Sequence, residues 1–236
     1  MKTDDLLIMA AWLVEAGECE DAAKLLGEAM MTARPRAKRR VVAMLERITG
    51  QSAAASCNLA LALMRGDGIK ADPQRGARLL HDVLAQRDTG MGGFAHNFLG
   101  HFYFGAFGTP ADLPRAVSHF EQVGDLEQGE AAFNAGLILE KLNEGIARDV
   151  PRAAANYRRA MLHGSVSAMT NLALLIISTE VAGSYPGEAA KLLARAADLG
   201  DVEAIKVMIL LEAEIKAYLA AGTSPDGKQG VRHTPI

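Results

Sequence analysis

The sequence has few aromatic residues, few cysteines and little excess of charge of either sign. Aromatic side chains account for 5% of its 236 residues, and its two cysteines, Cys19 and Cys57, form no C-x-x-C pair. Two isolated cysteines are too few for a disulfide framework, so we expect reduced thiols packed between helices. The formal net charge of −3 argues against the whole chain being a polyanion binder.

Segments long enough to cross a membrane are also missing. The longest apolar runs, such as residues 172–177, are far shorter than a bilayer requires. Near the N-terminus, Asp4 and Asp5 stand where an export signal has basic residues, and no long apolar core follows them. These features predict a cytoplasmic protein with no membrane insertion.

Motifs for catalysis, cofactors and metals are absent from the sequence as well. Its six histidines form no H-E-x-x-H pattern, and no G-x-S-x-G nucleophile motif occurs. Residues 222–228 have the G-x-x-x-x-G-K spacing of a phosphate-binding loop, but Gln229 replaces the required Ser or Thr and no strand precedes the segment. We therefore predict no enzymatic activity, no cofactor and no metal site.

What the sequence does contain is a repeat of 36 to 40 residues. Each copy begins at an alanine and carries apolar or small residues at offsets 4, 5 and 8, which lie on one face of a helix. An alanine or glycine at offset 5 removes side-chain bulk and lets a partner helix approach closely. The alanines that begin the copies are Ala55, Ala95, Ala131, Ala168 and, for a last partial copy, Ala204.

The second half of each copy predicts another helix. Glycines such as Gly66 and Gly105 end the first helix. Asp72, Asp112 and Asp149, each with a proline in the first turn that follows, begin the second. A helical hairpin of this kind cannot bury its apolar face alone, so neighbouring hairpins must stack.

These residues resemble the Sel-1-like repeat, a relative of the tetratricopeptide repeat. The copy at 95–130, for example, carries Ala95, Leu99, Gly100, Tyr103, Gly108, Asp112, Ala116 and Phe120. The resemblance covers roughly residues 53–212, although the fourth copy lacks the second glycine and the aspartate. It implies an all-α, right-handed α/α solenoid of stacked antiparallel hairpins. It also implies a non-catalytic scaffold or adaptor, of the kind found in bacterial signalling, envelope and secretion-linked complexes.

The repeat register suggests three segments. Residues 1–52 form a tetratricopeptide-like capping hairpin with a bridging helix, and residues 53–221 form about four repeats with a C-terminal capping helix. Residues 222–236, rich in Gly, Pro, Ser and Lys, form a disordered tail.

In the family that the sequence resembles, the first helices of the repeats line the concave side of the superhelix. Residues at offsets 2, 6 and 9 of these helices point away from the packing face of their own hairpin. We expect them to bind a protein or peptide, although the same positions also suit a core between neighbouring repeats. The candidate binding residues are Leu61, Met64, Asn97, His101, Phe104, Phe133, Leu137, Glu140, Leu174 and Ile177.

Two other functions stay open on the sequence alone. A helical enzyme or small-molecule-binding protein needs a pocket with convergent polar groups, for which His101, His119 and Glu140 are candidates. Nucleic-acid binding would use the five cations of the segment 34–40, from Arg34 to Arg40, where no aromatic residue is present to stack on bases. We expect a protein partner and a monomer or weak dimer.

Overall fold

Helices make up nearly all of the regular structure of the chain. The computed structural model describes residues 2–86, 89–123, 128–141, 145–178, 181 and 186–220, and these residues form twelve α-helices and one short 3-10 helix, Thr49–Gln51. The α-helices are α1 (Thr3–Glu15), α2 (Cys19–Thr32), α3 (Pro35–Ile48), α4 (Ala53–Arg65), α5 (Pro73–Ala85), α6 (Gly92–Phe104), α7 (Leu113–Glu121), α8 (Gln128–Glu140), α9 (Val150–Leu162), α10 (Val166–Ile177), α11 (Pro186–Asp198) and α12 (Val202–Ala220). No helix in these ranges has both the length and the apolar character needed to cross a membrane.

The helices belong to two compact units, Met1–Asp149 and Val150–Ile236. In the first unit, α1 packs against α2, α4 against α5 and α6 against α7, so each pair forms a hairpin. In the second unit, α10 packs against both α9 and α11. The predicted all-α fold of antiparallel helical hairpins is confirmed. The predicted tail at 222–236 lies outside the described residues.

The hairpins begin and end where the repeat pattern predicts. The carboxylate Oδ1 of Asp72 accepts a hydrogen bond from the backbone N–H of Arg75 at 2.9 Å, and that of Asp112 accepts one from Arg115 at 3.2 Å. These bonds satisfy N–H groups that the first turn of α5 and of α7 leaves without a helical partner. Gly66 ends α4 with a φ of 75°, a left-handed conformation that glycine adopts without steric cost.

Small residues allow the two helices of a hairpin to approach closely. A Cβ added at Gly100 of α6 would lie 2.6 Å from Cδ1 of Phe120 in α7. A Cβ at Gly76 of α5 would lie 2.8 Å from the carbonyl oxygen of Ala60 in α4. The role predicted for the small residue at offset 5 is therefore confirmed at Gly100, and Gly76, from the second helix of its repeat, packs on the offset-5 residue Ala60.

Ion pairs hold α3 against the hairpin formed by α4 and α5. The ammonium Nζ of Lys38 lies 2.6 Å from Oδ1 of Asp67, and both side chains are half-buried. On the neighbouring surface, Nη2 of Arg75 lies 3.0 Å from Oε1 of Glu46. The first pair is less exposed to water, so it contributes more to the position of α3 than the exposed second pair does.

The second unit has its own polar contacts between helices. The fully buried ring of Tyr157 in α9 carries a hydroxyl that accepts a hydrogen bond from Nδ2 of Asn171 in α10, at 3.2 Å. The carboxylate of Asp201 accepts from the backbone N–H of Ala204 at 2.8 Å and from the hydroxyl of Thr170 at 3.2 Å. Asp201 thus begins α12 and joins it to α10.

Candidate functional site

A cavity of about 330 Å³ lies between α6 and α8 in the first unit. Its wall is mainly apolar and includes one charged side chain, that of Lys141, just beyond the end of α8. The residues that line it are His101, Phe104, Asn134, Leu137, Ile138 and Lys141. A cavity of this kind suits an apolar group whose orientation is set by a few polar contacts.

The packing of α6 on α7 positions His101 at the cavity. Phe120 occupies the space left by Gly100, and its ring meets the imidazole of His101 edge to face, with centroids 5.1 Å apart and an interplanar angle of 82°. Phe104 lies one turn beyond His101 and is 50% exposed at the end of α6. Gly100 therefore sets the close packing that supports His101 at the cavity.

The structure brings three of the predicted binding residues together at the cavity. His101, Phe104 and Leu137 line the cavity, whereas Met64 is 3% exposed and Asn97 is 8% exposed. These two side chains are buried, as the alternative assignment of these positions to a core between neighbouring repeats expects. Of the remaining residues, Leu61, Phe133 and Glu140 are half-buried, and Leu174 and Ile177 lie on α10 of the second unit with exposures of 36% and 39%.

Counting along the repeat missed three cavity residues of the α8 segment. Asn134, Ile138 and Lys141 each follow by one position the residues predicted for this helix, Phe133, Leu137 and Glu140. One position is about 100° of rotation in an α-helix. The face of α8 that lines the cavity is therefore rotated from the one predicted, with Leu137 on the boundary that both share.

A second cluster joins three histidines and a tyrosine from α5, α6 and α7. Nδ1 of His96 lies 2.9 Å from Nδ1 of His119, and Nε2 of His81 lies 3.1 Å from the hydroxyl of Tyr103. The ring of Tyr103 stacks on that of His119 with centroids 5.4 Å apart. Two imidazole nitrogens at hydrogen-bonding distance share one proton, so the bond requires at least one of the two rings to be neutral.

The surroundings of this cluster favour neutral imidazoles. Burial lowers the pKa of His119 to about 4, and positive charge on His96, His81 and Arg115 acts in the same direction. Burial also lowers the pKa of His96, with charge on His81 adding to the effect. His96 and His119 therefore resist protonation, as expected where a positive charge would lie close to other potential cations.

Stability is expected to fall on acidification because of His119. Between its ordinary pKa of 6.5 and about 4, the unfolded chain binds a proton at this residue that the folded chain does not. The melting temperature of the wild type should therefore decrease more steeply from about pH 7 to about pH 4.5 than that of His119→Asn. His163→Asn, which changes an exposed histidine in the second unit, should follow the wild type. Parallel curves for the wild type and His119→Asn would contradict the assignment.

The residues proposed for a catalytic pocket do not meet. His101 lines the cavity, whereas His119 is turned toward His96, and neither His119 nor Glu140 is part of the cavity wall. No group of three or more His, Cys, Asp or Glu residues in the described ranges is arranged to hold a metal ion. The geometry therefore does not support the pocket that this alternative function requires.

Two of the five cations in the basic segment 34–40 already have acidic partners. Lys38 pairs with Asp67 at 2.6 Å, and Nη1 of Arg40 lies 3.1 Å from Oδ1 of Asp4. These contacts neutralise part of the positive charge that nucleic-acid binding would need.

Both cysteines are buried free thiols. Cys57 is fully buried in α4, and burial raises its pKa to about 12. A thiol in this environment stays protonated at neutral pH, which disfavours both nucleophilic attack and metal binding.

Comparison with known proteins identifies the repeat. The Sel1 repeat family matches residues 53–81, 93–126, 129–165 and 184–201, together half of the chain. A Sel1 repeat protein from Oxalobacter formigenes is similar in structure, with a TM-score of 0.58 and 18% identity over 85% of this chain and 87% of that one. So is c5321, a protective antigen of uropathogenic Escherichia coli with an SLR fold, with a TM-score of 0.62 and 13% identity over 86% of this chain and 47% of that one. The search of curated proteins gave no match. The four matched segments show that the chain belongs to the Sel1 repeat family.

Proposed function

We propose that this chain is a non-catalytic scaffold that binds a protein or peptide in the cavity between α6 and α8. Sel1 repeat proteins are generally interaction scaffolds rather than enzymes. The observation that carries the proposal is the position of His101, Phe104 and Leu137. They come from corresponding helices of consecutive repeats and line one mainly apolar cavity.

The composition of the cavity wall favours a peptide with a large apolar side chain. Leu137 and Ile138 form an apolar surface on α8, and the half-exposed ring of Phe104 lies opposite on α6. Large apolar and aromatic side chains that enter such pockets provide most of the binding energy of many interfaces. Asn134 and Lys141 supply the polar groups that would fix the direction of the bound segment.

We propose a cytoplasmic location on the state of the two cysteines. Cys19 and Cys57 are both free and buried, as expected for a protein that folds under reducing conditions.

The Phe104→Ser substitution separates binding from folding. Because half of the Phe104 ring is exposed, we expect its loss to abolish retention of a stoichiometric protein partner from native lysate while changing the free energy of unfolding by less than about 1 kcal/mol. The measurement combines affinity purification with denaturant unfolding of the same preparations.

Leu162→Ser is the matched control for this experiment. Leu162 is 84% exposed, belongs to α9 of the second unit and is not among the residues that line the cavity, so its replacement removes a similar apolar surface and leaves the cavity wall intact. The partner should remain bound to this variant. Retention of the partner by Phe104→Ser, or joint loss of binding and stability, would count against the cavity as the binding site.

A further inference from the structure

Helix α1 presents an exposed apolar stripe that no described residue of its own unit covers. Ile8, Met9 and Trp12 are 52%, 43% and 73% exposed, although Leu6 and Leu7 of the same helix are buried at 3% and 2%. The stripe is therefore the outer face of a packed helix. Trp12 is the only tryptophan of the chain, and exposed clusters of large apolar residues mark interaction surfaces.

Helix α3 carries a parallel stripe of arginines. Arg36, Arg40 and Arg47 are exposed and are spaced by one turn and then two turns, so they lie along one helix face. The opposite face, with Val41 and Leu45, is fully buried. The guanidinium groups thus line the solvent side of a helix that is fixed in the core.

One ion pair brings the two stripes together. Nη1 of Arg40 lies 3.1 Å from Oδ1 of Asp4, and Asp4 precedes Ile8 by one turn and Trp12 by two turns on the same face of α1. Arg47 lies two turns beyond Arg40. Asp4 lies in the first turn of α1 and Arg40 in the second turn of α3, and the two helices are in contact. The apolar stripe therefore begins beside the arginine stripe.

We propose that this apolar-arginine surface, formed by Ile8, Met9, Trp12, Arg36, Arg40 and Arg47, docks an acidic amphipathic helix of a partner protein. The apolar face of such a helix would cover Trp12 and Ile8, and its carboxylates would pair with the guanidinium groups of α3. Arginine binds a carboxylate through two parallel hydrogen bonds. The arginine stripe would therefore attract the acidic partner helix and also fix its direction.

The charges beside the stripe favour a protein over a phosphate-bearing surface. Asp5 and Glu15 are exposed on α1, at either end of the apolar stripe, and would repel an anionic bilayer or a nucleic acid. A partner helix with one apolar face and one acidic face avoids this repulsion, because its acidic residues can all lie on the side of α3. The exposed pair of Arg40 and Asp4 contributes little, so Arg40 can exchange its partner at small cost.

The test selects binders from a phage-displayed library of helical peptides on the full chain. We expect enriched peptides to carry leucines on one face and Asp or Glu beside them. Binding of a selected peptide should shift the emission of Trp12 to shorter wavelengths, because it removes the ring from water. Arg36→Glu combined with Arg47→Glu should weaken binding about tenfold or more, equivalent to about 1.4 kcal/mol. Ile8→Ser should also weaken it.

Controls distinguish this surface from the cavity and from other ligands. Binding of the selected peptides, followed by the emission of Trp12, should be unchanged in Leu162→Ser and Phe104→Ser. Failure of the function proposed for the cavity therefore does not affect this result. The proposal is overturned if the enriched peptides are basic, or if the double arginine variant binds them as the wild type does. It is also overturned if vesicles of phosphatidylcholine and phosphatidylserine, a DNA duplex or a higher concentration of the chain itself shift the emission while the peptides do not.

Discussion

Replacing Gly100 with leucine is expected to remove about 3 kcal/mol or more from the free energy of unfolding. Even the first carbon of the new side chain would lie 2.6 Å from two ring carbons of Phe120, which is 1% exposed and has no free space into which to move. The hairpin of α6 and α7 must therefore open, and with it the support of His101. Chemical denaturation followed by circular dichroism measures the loss.

Gly92→Leu provides the matched control in the same helix. A Cβ at Gly92 would meet no atom within 4 Å, so we expect a change within about 0.5 kcal/mol. Equal stability of the Gly100→Leu and Gly92→Leu variants would show that α6 and α7 do not pack through Gly100.

Tyr157→Ala is expected to destabilise the second unit by about 4 kcal/mol. The ring is fully buried between helices, and its removal leaves a cavity and deprives Asn171 of the hydroxyl that lies 3.2 Å from its Nδ2. Hydrogen exchange of the α9 and α10 amides, together with denaturant unfolding, measures the effect.

Tyr157→Phe separates the ring from the hydroxyl. It retains the packing and loses only the hydrogen bond, so it should cost about 1 kcal/mol. If the alanine and phenylalanine variants unfold at the same denaturant concentration, the ring does not have the packing role assigned to it.

The hairpins were predictable because each is specified within a short stretch of sequence. Asp72 and Asp112 begin their helices through bonds to residues three positions later, and Gly66 ends its helix through its own backbone conformation. The close contact at Gly100 was predictable from a small residue at a fixed repeat position. All of these signals act over a few residues and need no knowledge of the rest of the fold.

The candidate site was predictable only in part, because the sequence of one helix does not show which neighbouring residues bury each of its faces. The same offsets gave Phe104, which is half exposed, and Met64, which is buried. Counting along one helix does not show how far the neighbouring helix extends over it. The rotation of α8 that brings Asn134 to the cavity depends on packing between repeats. No pattern in the sequence of α8 itself indicates it.

The histidine cluster was not predictable at all. His81, His96 and His119 lie on three successive helices, and their distances along the chain follow no ligand motif. His96 and His101 of α6 are five residues apart and share no helix face. The relevant neighbours of His96 come from α5 and α7, and only the stacking of the hairpins brings them together.

The order of helix contacts has a consequence for how the chain folds. Every extensive contact between described helices joins elements that are adjacent in sequence or separated by a single helix. Chains with such local contacts have low contact order, and their folding nuclei form rapidly because little loop entropy is lost in closing them. Folding can therefore start at several hairpins and spread to their neighbours, and an emerging chain can build its N-terminal helices before its last ones have been synthesised.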